Sequence, residues 1–183
     1  IIEYKEAWLE IYKKPVLYFP YFYHPDPTVK RQSGFLAPSI ANSNIVGTTF
    51  KVPYYKVISG NKDLTFSPQF SIDQNFILQN EYRQAFENSD GIIDLSLAKD
   101  GSATKSHFFS NLKGNNDSLN FEINLEKVSN DRYLEQNKIK SPLINNYSLL
   151  NSYLNLYKST DNSYLSTSFE VFEDLNKKKS DRY

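Results

Sequence analysis

The chain has 183 residues with 21 Lys+Arg against 21 Asp+Glu, so no global field argues for nucleic acid as a partner. It contains no Cys, which excludes thiolate metal sites, thiol nucleophiles and disulfides within these residues. Aromatic residues make up 15%, with 14 Tyr and 13 Phe, beside a mean hydropathy on the polar side. That combination suits strands with one apolar face and aromatic girdles, although a soluble sandwich can be aromatic-rich too. No apolar run approaches the ~20 residues a membrane helix needs. With no Met, and with regular patterns under way at both ends, we expect an internal fragment, so the lack of a signal peptide says nothing about location.

Residues 5–14 alternate, with Ala7, Leu9 and Ile11 on one face and Glu6, Trp8, Glu10 and Tyr12 on the other. Lys13-Lys14-Pro15 then breaks the run before VLYFPYFY, which predicts a strand, a turn and a second strand. His24-Pro25-Asp26-Pro27 ends regular structure, because each proline pushes its predecessor toward extended geometry. A boundary is therefore expected at about residues 25–31.

Beyond it the sequence predicts extended segments at about 34–43, 47–58, 64–73, 76–87, 91–99, 104–113, 118–129, 145–158 and 163–175. Their separators, such as Ser59-Gly60-Asn61, Asp100-Gly101 and Thr160-Asp161-Asn162, tolerate positive φ or form side-chain turns. Residues 130–144 form the one long connection, expected as a loop. The alternation is clearest where Leu119, Phe121, Ile123 and Leu125 oppose Asn120, Glu122, Asn124 and Glu126. GIIDLSLA repeats it with Ile93, Leu95 and Leu97, and SYLSTSFEVF with Leu165, Thr167, Phe169 and Val171. Periodicity leaves two architectures open, a lipid-facing barrel and a soluble half-buried sheet.

Pro38 and Pro53 fall inside the first two of these segments. A proline removes one ladder donor, so sheets confine it to edges, strand starts or bulges. Either the pair marks ordinary edge strands, or it weakens one seam on purpose.

Motifs for catalysis are absent: there is no G-x-S-x-G, H-E-x-x-H or phosphate loop among only 6 Gly. His24 and His107 read as surface or rim imidazoles. Glu81 and Arg83, two apart, project from the same strand face and suit an ion pair or a lumen lining. Lys177-Lys178-Lys179 reads as a solvated turn. No enzyme, no cofactor and no metal site is expected, and a barrel enzyme would need a Ser/His/carboxylate set lying outside these residues.

Five ordered blocks carry more than pattern: PVLYFPYF (15–22), RQSGFLAP (31–38), VPYY (52–55), DLTFSP (63–68) and NEYR (80–83). The series resembles the LptD (OstA/Imp) family of lipopolysaccharide-assembly proteins, with RYLEQNK (132–138) a looser match. Lys56 stands where that family often has Trp, Gln32 where Arg is frequent, and the absence of Cys removes the disulfides some members use.

The resemblance implies an all-β chain: the last strands of a periplasmic β-jellyroll over 1–28, then over 29–183 the first antiparallel strands of an outer-membrane β-barrel. It implies lipopolysaccharide release to the outer leaflet through a lateral gate at Pro38 and Pro53, with Glu81, Arg83, Glu122 and Glu126 facing the lumen. Implied partners are lipopolysaccharide, an LptE-like lipoprotein plug, a periplasmic LptA-like bridge and outer-membrane lipid, with the N-terminal residues periplasmic. The alternative is a soluble all-β module that binds glycans on a Tyr-rich face.

Overall fold

The computed structural model describes residues 2–11, 13–24, 31–43, 47–72, 76–100, 103–116 and 119–183. Two antiparallel sheets account for nearly all of them. The first is a hairpin of β1 (Ile2–Ile11) and β2 (Lys14–His24), paired from Ile2–His24 to Ile11–Lys14 with a register shift between Leu9 and Glu10. Its ladder skips one position: Lys5 pairs Tyr21 and Ala7 pairs Phe19, leaving Glu6, at φ 54, opposite Pro20. A residue without an N–H cannot complete that rung, and the opposite strand bends away from it. Trp8 and Tyr18 meet across the hairpin with ring centroids 4.8 Å apart and planes tilted by 44°. The expected boundary near 25–31 falls almost wholly outside the described residues.

The second sheet has eleven strands. These are β3 (Gly34–Phe35), β4 (Ser39–Ser43), β5 (Gly47–Lys51), β6 (Tyr54–Ser59), β7 (Lys62–Ser71), β8 (Phe76–Ala85), β9 (Ser89–Asp100), β10 (Ala103–Asn116), β11 (Leu119–Val128), β12 (Leu149–Thr160) and β13 (Ser163–Asp174). From β7 to β13 each strand pairs with the next in a simple meander, through short connections everywhere except the long one between β11 and β12. The sheet is open, with β13 at one edge and β3 and β4 at the other.

The two proline-bearing segments do not run through. Each breaks at its proline, so that β3–β4 and β5–β6 are two strands in four pieces. On one side of the break only Gly34 and Phe35 pair with Tyr55 and Tyr54; on the other, Ser39–Ser43 pair with Lys51–Gly47. β7 receives β6 along its first half and β5 along its second.

Residues 129–148 depart from a plain loop. They contain a single-turn helix, α1 (Tyr133–Gln136). Ile139 N–H donates to Leu134 O at 3.0 Å and Lys138 N–H to Glu135 O at 3.2 Å, a Schellman closure with Lys138 left-handed at φ 48. The apolar contact that accompanies such an ending is present, because Leu134 and Ile139 are both buried. Tyr133, Leu134 and Ile139 form the core together with Ile77, Ala98 and Phe109 from β8, β9 and β10, and with Leu150 and Leu175. Fully burying each large side chain contributes about 1.5–3 kcal/mol. The core therefore sits beneath this connection, on one face of the sheet.

Candidate functional site

Register places every side chain on one of two faces, because cross-strand partners share a side. One face gathers Asp63, Thr65 and Ser67, Gln79, Glu81 and Arg83, Asp94 and Ser96, His107 and Asn111, then Glu122, Asn124 and Glu126. Of these all but Glu81, Arg83 and Glu122 are buried. The other face carries Phe66, Phe70, Phe76, Leu97, Phe108, Leu125, Leu165 and Phe169, all exposed. The three alternating runs singled out in the sequence all put their apolar members on this exposed side. Phe169, for instance, is 64% exposed while Asp94 is 0%. The partition is inverted relative to a protein folded around an oily core in water.

Polar groups on the buried face satisfy one another across strands. Gln79 Nε2 donates to both Asp94 oxygens at 3.1 and 2.9 Å and to Lys140 O at 2.9 Å, while its Oε1 accepts from Lys51 Nζ at 2.9 Å. Asn111 donates to Glu122 and to Asn124, and Asn124 in turn to Glu126 and to Asn151 O. Glu126 Oε2 accepts from Asn151 N–H at 2.9 Å, just past the point where the β11–β12 ladder ends at Asn124–Tyr153. A carboxylate here replaces a rung of the ladder.

All four charged residues read from the sequence as one polar set lie on this face. Arg83 and Glu81 form the ion pair expected from their spacing, Nη2 to Oε1 at 2.6 Å. Glu122 accepts from Tyr153 OH at 2.9 Å and faces Lys113 Nζ at 3.5 Å. Arg83 also reaches a second carboxylate that the sequence did not single out. Asp63, only 1% exposed, is met by Arg83 Nε at 3.8 Å and contacted by Arg31 Nη2. These groups line one end of a cleft of about 250 Å³ that includes Asn61, Asp90 and Lys113.

His107 is not the surface or rim imidazole its sequence context suggests. It is buried, its Nδ1 is 2.6 Å from Ser96 Oγ, and its Nε2 lies 3.5 Å from Asp94 Oδ2. Tyr133 OH closes the chain at 2.7 Å from Ser96 Oγ. Burial raises the Tyr133 phenol above its ordinary value; the Ser96 bond opposes that shift and the Asp94 charge adds to it. A Ser/His/carboxylate set therefore does lie within these residues, contrary to the sequence expectation. Asp94, Ser96 and Tyr133 are each 0% exposed, and the cluster ties the 129–148 connection to the sheet. The cover over His107 comes from a segment more than twenty residues away and left no local signal. The apolar Tyr133, Leu134 and Ile139 inside a polar loop were the clue available.

Among the described residues no group of His, Asp and Glu could hold a metal ion, and no helix is long and apolar enough to cross a membrane. The second statement says nothing of strands. An antiparallel sheet that exposes its aromatic face and buries its hydrogen-bonded polar face is the wall of a transmembrane β-barrel, present here as an open arc.

No family model matches the chain. It is similar to the LPS-assembly protein LptD of Idiomarina loihiensis, 32% identical over 141 residues, covering 72% of this chain and 18% of that protein. The LPS-assembly protein LptD of Pseudomonas aeruginosa strain UCBPP-PA14 is 35% identical over 94 residues, 51% of this chain and 10% of that protein. That of Pseudoalteromonas translucida is 33% identical over 141 residues, again 70% and 18%. The chain belongs to the LptD family, and it spans less than a fifth of the length of these curated relatives.

Proposed function

We propose that the chain is the opening portion of an outer-membrane machine that assembles lipopolysaccharide into the outer leaflet. Residues 1–28 are the end of a periplasmic jellyroll, and residues 29–183 are the first strands of the barrel. Acyl chains leave through a lateral gate at Pro38 and Pro53, while sugars travel along the polar face lined by Glu81, Arg83, Glu122 and Glu126. An LptE-like plug and an LptA-like bridge are the protein partners. The chemistry is transport, with no covalent step.

The observation that carries this reading is the interruption of both edge strands at their prolines, next to long unbroken ladders. In hydrocarbon an unpaired backbone group costs several kcal/mol, so a closed barrel normally satisfies all of them. Prolines on the first strands remove donors in advance, and that lowers the cost of parting this one edge from its neighbour. In the full-length protein, Pro38→Ala with Pro53→Ala should strengthen the edge and reduce lipopolysaccharide at the cell surface. Unchanged export by a properly assembled double variant would sink the gate. Recovery of the full-length protein in soluble fractions, without heat-modifiable gel mobility, would favour the glycan-binding module instead.

A further inference from the structure

The first strand has a fastener that its backbone does not provide. Just ahead of β3, Arg31 reaches three separate groups. Its Nε donates to Tyr55 OH at 2.9 Å on β6, its Nη1 to Gly60 O at 3.3 Å in the β6–β7 turn, and its Nη2 contacts Asp63 on β7. Two residues on, Ser33 Oγ accepts from Val57 N–H at 2.9 Å. Backbone pairing in this piece is limited to Gly34–Tyr55, Phe35–Tyr54 and one further bond, Leu36 N–H to Pro53 O at 2.9 Å. Side chains thus supply as much attachment as the ladder does. Neither Asp63 oxygen finds a hydrogen-bond donor beyond these guanidinium contacts among the described residues, so the buried carboxylate is an anchor made for a cation.

Past the prolines the arrangement is different. The β4–β5 hairpin pairs with β7 over the short stretch Thr49–Lys51, flanked by Ile72 N–H to Thr48 O at 3.1 Å and Val52 N–H to Pro68 O at 3.2 Å, and Lys51 Nζ reaches Gln79 on β8. From the 129–148 connection it receives one bond, Lys138 Nζ to Asn42 O at 2.9 Å. That bond is exposed and replaceable by water.

We propose that Arg31 is a positioning residue that pins the start of the first strand to β6 and β7, so that the edge parts from the proline side, residues 37–43, and not from residues 31–36. This rests on the lateral-gate reading above and adds to it a direction of opening. The planar guanidinium is suited to the task, because it satisfies three acceptors at fixed angles where an ammonium would act as a point charge.

The test uses the full-length protein assembled in its membrane. Amide exchange at Leu36 and Val57 should be slower than at residues 39–43, and Arg31→Ala should speed it by about tenfold while β9–β10 amides stay within about twofold. Arg31→Lys, which keeps the charge and protects against a simple assembly failure, should fall between. A photoreactive residue at position 40 should cross-link lipopolysaccharide in the wild type and one at position 35 should not; in Arg31→Ala both should. Unchanged exchange at Leu36 and Val57, or equal cross-linking from 35 and 40 in the wild type, overturns the proposal. Changed exchange with no cross-link from either position keeps the fastener, and overturns both the direction of opening and the export reading on which it rests.

Discussion

The body of the large sheet and its first two strands are built from the same residue types and are held together in different ways. β9 and β10 pair without interruption from Asp100–Ala103 to Ser89–Gly114. The first strand pairs over Gly34–Phe35, stops, and resumes over Ser39–Ser43. Where the body has an unbroken ladder, the edge has a broken one supplemented by side chains: Arg31, Ser33 and, from the 129–148 connection, Lys138. Backbone ladders are cooperative and nearly indifferent to sequence, whereas side-chain fasteners can be placed one at a time. An edge held by the second means can be strong at one end and weak at the other.

The largest effect that would break this contrast comes from the middle of the connection. Tyr133→Ala removes a fully buried ring and its bond to Ser96, and should weaken docking of residues 129–148 by about 3–5 kcal/mol. Limited proteolysis of the full-length protein should then cut within 129–148, and exchange should rise at 39–43, which lose Lys138, while β9 and β10 stay protected. Resistance equal to the wild type would mean that the connection is held by something other than the polar face.

Gly114 sharpens the contrast from the body's side. A Cβ there would lie 2.4 Å from two ring atoms of Phe121 and 3.1 Å from Ser89 Cβ. Gly114→Ala should destabilise by about 1–3 kcal/mol in a denaturant titration, through overpacking on the apolar face. Phe121→Ala in the same chain should recover most of it, a coupling the double-mutant cycle measures directly. An additive cycle would show that the ring does not rest on the glycine.

The smallest effect is a pH dependence. With its pKa raised by burial, Tyr133 favours docking while neutral; that contribution is complete below about pH 10 and is lost as pH rises through the higher docked value. Alkaline titration of tyrosinate absorbance should contain one late-titrating group that Tyr133→Phe deletes. Tyr133→Phe itself should cost only about 1 kcal/mol of docking, the loss of one hydrogen bond. A titration unchanged by the substitution would contradict the placement of the phenol.

Much of the sheet was legible because period 2 is a local property. LNFEINLEKV and GIIDLSLA state their faces residue by residue, and the turns between them contain the residues turns need. The four charged residues could be placed on one side for the same reason. The breaks at Pro38 and Pro53 were foreseeable as lost donors, though not as complete interruptions, since that depends on how β7 divides itself between β5 and β6. The inward packing of 129–148 was not legible. One helical turn is too short to show a 3.6-residue period, and its partners Ser96 and His107 lie far back in the chain.

The cross-strand side-chain bonds of the polar face have a consequence for how the sheet is proofread as it forms. Gln79–Asp94, Asn111–Asn124 and Arg83–Asp63 each join neighbouring strands at one relative offset. A slip of one residue would turn Arg83, Asp94, Asn111 and Asn124 to the apolar side, where an Arg costs about 2–4 kcal/mol at the bilayer midplane and an Asp less. A slip of two would keep the faces and break every pair at once. Misaligned sheets are therefore penalised by the same side chains that line the finished wall.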